Sequence, residues 1–285
     1  AKKGAIVRVA SRNPERALPL RTVGFVGQVT PTFCDIKDIS NVMEALKGAD
    51  AVINLVGIIA EHKKQTFEAI HHRGIENIGI ACKTQHIDDL IHVSALGINS
   101  SSPSLYAQTK LAGESAALGQ FDKTVILRPS LIYGPDDHFF NRFAALAQLF
   151  PVLPLIGGGK TRFQPIYVGD VASAIIHILE GNAFQGKIIE LAGPKIYTFE
   201  ELMKLLLKEI NRQKLLLRVP FYLARQLARI LQVFPHPFLT LDQVRLLETD
   251  AILTKKNLTL KDLHLTPSHL ESLISQYLGR YKPHF

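Results

Sequence analysis

The chain has 285 residues, 47% of them hydrophobic and 20% charged, an ordinary globular composition with room for one large domain or a domain plus a smaller lobe. Its two cysteines, Cys34 and Cys82, exclude a disulfide framework and fit a reducing compartment, and no apolar run reaches the roughly 18 residues that a membrane span needs. The formal charge of +8 allows an acidic partner, an anionic membrane surface or a phosphorylated ligand, and does not choose among them.

In chain order, "GAIVRVASRN" predicts a strand over 5–10 and a polar turn, and "TPTFCD" a second short strand. "DISNVMEALKGAD" predicts a helix with Ser40 as N-cap and Gly48 as stop. "AVINLVG" is nearly all apolar, as a parallel strand buried on both faces tends to be. A helix through "QTFEAIHHRGIENIGIACKTQ", a strand and turn at "DLIHVSALG", a helix at "SLYAQTKLAGESAAL" and a strand at "TVILRPSLIYG" follow. This alternation is the mark of an α/β fold with a doubly wound, Rossmann-type parallel sheet. After residue 194 "TFEELMKLLLKEINRQ", "FYLARQLARILQVF", "LTLDQVRLLETD" and "TPSHLESLISQYLGRY" read as helices. The expected organisation is a nucleotide-binding domain over 1–194 and a mostly helical lobe over 195–285, with some lobe elements inserted between 134 and 168.

The stretch "VGFVGQV" at 23–29 resembles the end of a dinucleotide-binding glycine loop. Such a loop must follow a buried strand and open a helix whose N–H groups face the pyrophosphate. Here "NPERALPLRT" precedes it and "QVTPTF" follows, with Pro31 favouring an extended chain. Gly24–Gly27 therefore reads as a connecting loop. "AKKG" reads as the last turn of a helix, so a first strand and its glycine loop are expected ahead of Ala1, roughly 20 to 25 residues upstream.

Tyr106 and Lys110 form Y-x-x-x-K, and Tyr106 alone of seven tyrosines has a lysine four residues on. On a helix these positions share a face. An ammonium about 4 Å from the phenol, at an effective dielectric near 20, would favour the phenolate by ~4 kcal/mol, or ~3 pK units. That would bring the tyrosine near neutrality, where it can act as general acid or base. Ser94, at the end of a strand, could hold a substrate oxygen beside it. Arg12 ends the first strand, in "SRN" without an acid, and suits the 2′-phosphate of NADP(H) better than the 2′-hydroxyl of NAD. Asp35 and Ile36 are expected to border the adenine. Leu55, Val56 and Gly57 follow the third strand, where a glycine lets the backbone approach a cofactor.

Eleven histidines include no H-E-x-x-H and the cysteines no C-x-x-C, so no metal site is expected. No G-x-S-x-G elbow marks a serine hydrolase. Between Met203 and Leu231 stand Lys204, Lys208, Arg212, Lys214, Arg218, Arg225 and Arg229 against Glu209 alone. Leu223, Leu227, Ile230 and Phe234 make an apolar stripe there, with Arg225 and Arg229 on another face. The stretch is either a solvated lobe helix or a docking surface for a partner or an anionic membrane. No nucleic-acid partner is expected.

Together "HVSALG", "YAQTKLAGE", "ILRPSLIYGPDD" and "RFQPIYVGDVASAI" resemble the extended and atypical short-chain dehydrogenase/reductase family. The resemblance implies a catalytic triad of Ser94, Tyr106 and Lys110. It places Arg128, Pro129, Tyr133, Gly134 and Pro135, with Ile132 among them, near the nicotinamide, and Val168, Asp170 and Val171 ahead of a helix. Within that family "NLVGII", "FPHPFLTLDQVRLLETD" and the "YLGRYKP" ending resemble the nucleotide-binding accessory subunits of respiratory complex I and their bacterial homologues. This implies a tightly held, structural NADPH, complex I subunits as partners, and a site in the bacterial cytoplasm or on the matrix side of mitochondria, peripheral to the inner membrane. The intact triad keeps a second reading open: a reductase, epimerase or dehydratase acting on a small carbonyl or sugar-nucleotide substrate.

Overall fold

The computed structural model describes residues 1–233, 237, 239–254 and 256–283. Its first half runs β1 (Val7–Ser11), β2 (Val29–Phe33), α1 (Ile39–Leu46), β3 (Ala51–Asn54), α2 (Gly74–Thr84), β4 (Asp89–Val93), α3 (Leu105–Gln120), β5 (Val125–Pro129) and β6 (Ile132–Tyr133). Then come α4 (Phe140–Leu149), β7 (Val152–Ile156), β8 (Arg162–Phe163), β9 (Ile166–Tyr167), α5 (Val168–Leu179), β10 (Ile188–Leu191), β11 (Tyr197–Thr198) and α6 (Phe199–Glu209). The chain ends with β12 (Leu215–Val219), α7 (Phe221–Leu231), α8 (Leu241–Leu246), β13 (Leu258–Thr259), α9 (Leu270–Leu273) and α10 (Ser275–Leu278).

Five parallel strands form the main sheet in the order β13-β10-β5-β4-β3. Successive residues of a strand point to opposite faces, and here both faces are apolar. Leu90 and Ile126 enter one core cluster with α1, α2 and α3, while Ile91, Val125 and Leu127 enter another with α5. β1 pairs in parallel with β2 as a separate ribbon. Among the described residues, β1 and β3 each keep one edge without a strand partner.

The structure corrects several local expectations. The N-cap of α1 is Asp38, whose carboxylate accepts from Ser40 N and Asn41 Nδ2. The helix starts one residue ahead of Ser40, and aspartate is as good a cap as serine. The helix expected over 65–85 opens as a π-helical segment, Glu68–Arg73, before continuing as α2. The wide turn accompanies a close approach of α3, because a Cβ at Gly113 would lie 1.9 Å from the carbonyl oxygen of His71. As expected, by contrast, Gly24–Gly27 is a connecting loop that leads into β2 and not into a helix, and Gln28 closes the loop by accepting from Phe25 N and donating to the carbonyls of Ala1 and Ala5.

The lobe has its own core, in which Tyr133, Phe140, Leu153, Leu155, Phe199, Leu202, Leu206, Val244 and Ile274 are buried together. The residues after 194 supply strands as well as helices. β12 pairs with β7 inside the lobe, and β13 completes one edge of the main sheet beside β10. The basic stretch 203–231 is thus divided among α6, β12 and α7. Phe234 lies outside the described residues.

Candidate functional site

Most of the residues singled out in the sequence stand at the carboxyl ends of parallel strands, where ligands of open α/β sheets bind. Arg12 follows β1 and Asp35 follows β2. Leu55, Val56 and Gly57 follow β3, Ser94 follows β4, and Pro129 ends β5 with Ile132 just beyond. Ser94 N donates to Leu127 O, and Leu96 N donates to Pro129 O, so the loop after β4 is laid along β5. Arg12 is exposed. Asp35 accepts from Lys37 N and pairs with the Lys37 ammonium at 3.5 Å. Ile36 packs into the core against Gly74, which leaves its side chain facing α2.

The triad is centred on α3. Ser104 caps this helix by accepting from Ala107 N. Lys110 is buried and its Nζ donates to Val93 O at 3.0 Å. Removal from water pulls the ammonium down to about 8, against the pull of Glu114 one turn away. Glu114 is itself buried and is held by both Nε and Nη2 of Arg128, a bidentate pair of the strong kind. The arginine of "LRPS" therefore serves the helix that carries Lys110.

His71 was not singled out in the sequence, yet it completes this cluster. Its Nε2 accepts from Ile58 N, and its Nδ1 lies 3.2 Å from Thr109 Oγ1, whose own proton goes to Leu105 O. These partners fix the neutral Nδ1–H tautomer. Burial, reinforced by the Lys110 charge, pulls its pKa down to about 3. The ring meets Tyr106 edge to face with centroids 5.1 Å apart, and Phe67 lies against both. The only signal in the sequence was an adjacent pair, His71 and His72, with opposite environments; His72 faces outward to Glu68.

Tyr106 keeps part of its surface exposed, yet its phenol sits deep enough that desolvation pushes it up to about 12. This reverses the expected direction. The Lys110 ammonium donates to a backbone carbonyl, and burial governs the phenol. Gly57 also has a different neighbour from the one expected. A Cβ there would stand 3.3 Å from Lys110 Nζ and 3.8 Å from His71 Nε2, so the missing side chain makes room for the ammonium.

Two further features lay beyond sequence reasoning. Asn54 and His92 face each other across β3 and β4, with Asn54 Nδ2 3.0 Å from His92 Nδ1. His92 Nε2 and Ser94 Oγ are buried without a hydrogen-bond partner among the described residues. The second feature is Asp242, on α8 in the lobe. It accepts from Ser104 Oγ at 2.8 Å, Leu105 N at 2.7 Å and Tyr106 N at 3.1 Å. Its neighbour Gln243 donates to Ile59 O at 3.4 Å. α8 thus joins the loop after β3 to the first turn of α3, the two segments that bound the Tyr106–Lys110–His71 cluster.

The remaining family-like positions are structural here. Asp170, in the first turn of α5, accepts from Ser268 N and Oγ and so ties down the C-terminal segment. Tyr133 is fully buried against Tyr167, and Gly134 packs against Val168.

A parallel α/β sheet with a serine, a Y-x-x-x-K helix and an open carboxyl edge defines an NAD(P)-binding protein of the short-chain dehydrogenase type. The chain belongs to the NAD dependent epimerase/dehydratase family, whose model matches residues 1–192. It is similar over 99% of its length, at 34% identity, to NADH dehydrogenase [ubiquinone] 1 alpha subcomplex subunit 9 of Arabidopsis thaliana mitochondria, covering 73% of that protein. It is 26% identical, over 99% of this chain and 74% of the relative, to the 40 kDa subunit of Neurospora crassa mitochondrial NADH-ubiquinone oxidoreductase. Its fold matches that of an Escherichia coli NADPH-dependent quinone oxidoreductase complexed with NADPH, at a TM-score of 0.74 and 17% identity over 96% of this chain and 91% of that one. No helix among the described residues is long and apolar enough to cross a membrane.

Proposed function

We propose that this chain holds NADP(H) as a fixed structural element and serves as an accessory subunit of a respiratory complex I-type assembly. The observation that carries this reading is the similarity along 99% of the chain to two mitochondrial NADH dehydrogenase subunits. Within the structure, a segment of the lobe clasps the N-terminus of the Tyr106 helix and bridges to Ile59, which suits a fixed element. Burial keeps the Tyr106 phenol protonated at neutral pH, a state that suits a fixed hydrogen-bond donor and a proton-donating acid equally.

The residues present suit the nucleotide. Ser94 has a buried hydroxyl without a partner among the described residues, and Leu55 and Val56 form an exposed apolar shelf at the end of β3. Arg12 is exposed on a segment without a neighbouring acid in sequence. Ser94, Tyr106 and Lys110 would hold the nicotinamide end, Leu55, Val56, Pro129 and Ile132 its apolar surroundings, and Asp35 the adenosine side. Arg12 would take the 2′-phosphate and favour NADP(H) over NAD(H). When bound, the nicotinamide can give or accept a hydride. The chain's own contribution is to orient it, exclude water with α8, and keep a proton on Tyr106. Its mitochondrial relatives support a place on the matrix side of the inner membrane, with the bacterial cytoplasm as the corresponding place in a bacterium.

The second reading, a catalytic reductase or epimerase, is favoured by the complete Ser94–Tyr106–Lys110 set. One experiment separates the two. Full-length protein is purified from its source, its nucleotide identified by mass spectrometry after denaturation, and its co-purifying proteins identified. Stoichiometric NADP(H) with respiratory subunits supports the structural role. A nucleotide-free protein without such partners, turning over a carbonyl substrate, overturns it.

A further inference from the structure

The amphipathic pattern of α7 is inside out. Ala224 and Ala228 are fully buried and belong to the lobe core. The large apolar residues Tyr222, Leu223, Leu227 and Ile230, with Val233 just past the helix end, point away from the protein. Their exposures run from 46% at Leu227 to 83% at Val233. A helix shaped only for its own domain turns its leucines inward and its short or polar residues outward. Leu215 and Leu217, on the strand that leads into α7, are exposed as well.

Charge completes the pattern. α7, FYLARQLARIL, contains no acid. Arg225 is tied to Glu248 and fixes the helix to the lobe, so it is not available as a docking cation. Arg229 is exposed and, among the described residues, bonds only to Gln226 on the same helix. Arg218 pairs with Glu200 at the protein surface, and Lys208 and Lys214 have no acidic partner among the described residues. The stretch 203–231 carries seven Lys and Arg against one Glu, and within it α7 presents an outward apolar stripe with a tyrosine at its start and the exposed Arg229 on the same helix.

We infer that the outer face of α7 docks this protein onto an anionic lipid bilayer, with the helix lying in the plane of the surface. Such a surface takes an apolar helix face a few ångströms into its headgroup boundary and attracts basic side chains around it. Tyr222 has the form suited to that boundary, a ring with a polar tip. Phe221 packs on the lobe core and the buried alanines let α7 sit close on it, while Tyr222, Leu223, Leu227 and Ile230 are left for the lipid.

Vesicle sedimentation of the purified full-length protein tests this. Wild type is expected to bind vesicles of phosphatidylcholine with about one-third phosphatidylglycerol, to bind pure phosphatidylcholine far less, and to be released by salt. Leu223→Gln with Ile230→Gln should lower partitioning at least ~10-fold through lost apolar transfer. Arg229→Glu should lower it at least ~5-fold. All three positions are exposed, so melting temperatures should match wild type and confirm the fold. Equal binding of wild type to neutral and anionic vesicles would overturn the inference, as would unchanged binding by the double variant. Absence of vesicle binding, combined with loss of co-purifying respiratory subunits in the double variant, would assign the face to a protein partner instead.

Discussion

Replacing Asp242 with alanine tests whether the lobe holds the Tyr106 helix. The carboxylate accepts from Ser104 Oγ, Leu105 N and Tyr106 N. Two of these donors are first-turn amides with no partner inside the helix. Losing an N-terminal cap costs about 0.5–2 kcal/mol, and losing a negative charge from a helix N-terminus about 0.3–1 kcal/mol more. The Ser104 hydroxyl, fully buried, loses its acceptor, which adds about 1 kcal/mol. The sum is about 3 kcal/mol, or a fall of roughly 5 °C in melting temperature for a chain of this size. Asp242→Asn keeps an acceptor and loses the charge, so it should fall by less than half as much. Scanning calorimetry gives the size of the effect, and hydrogen exchange gives its place. Exchange should rise together at 104–108 and 240–247 and stay unchanged in β4 and β5. A variant melting within 1 °C of wild type would refute the clasp, as would faster exchange confined to α8.

Other outcomes follow from the same site. Arg12→Ala should weaken NADPH at least ~10-fold and NADH little in titration calorimetry, because a charge-assisted phosphate contact is lost; equal losses would rule out the assignment. Tyr106→Phe should leave nucleotide affinity and respiratory complementation intact, and failure of complementation by a folded variant would favour the catalytic reading. His71 supplies a pH test. Its folded pKa, about 3, is depressed below the ordinary 6.5, so below about pH 6.5 the unfolded chain binds the extra proton. Its neutral form therefore contributes fully above that pH and the contribution is lost as pH falls towards 3. His71→Gln should flatten the slope of unfolding free energy between pH 6 and 4 by up to one proton, about 1.4 kcal/mol per pH unit, and an unchanged slope in denaturant titrations would show that the imidazole is not held neutral.

Much of the fold was legible because its cause is local. "AVINLVG" and "TVILRPS" are apolar at successive positions, as strands of a parallel sheet tend to be, and became β3 and β5; burial on both faces holds for β5 but not for β3, the edge strand, where Ala51 and Ile53 are exposed. The Y-x-x-x-K spacing and Ser94 at a strand end were equally readable, since helical and strand periods alone fix their placement. The π-helical turn at Glu68–Arg73 was not. Nothing in "EAIHHR" distinguishes it from an α-turn, and it goes with the passage of α3 over His71. The strand β12 was missed because "LLLRV" lies among helical segments and takes its form from pairing with β7.

By itself the sequence determined the fold class, the carboxyl-edge placement of Arg12, Gly57, Ser94 and Pro129, and the shared helix of Tyr106 and Lys110. Each rests on periodicity and turn chemistry within a few residues. Only the tertiary structure decided what those groups meet. It sent the Lys110 ammonium to Val93 O and raised the proton affinity of Tyr106 by burial. It also brought Asp242 across 136 residues of chain to cap the helix, and turned the leucines of α7 outward and its alanines in. Desolvation, long-range capping and the choice of buried face depend on which surfaces the packed chain brings together, and sequence spacing carries no term for that.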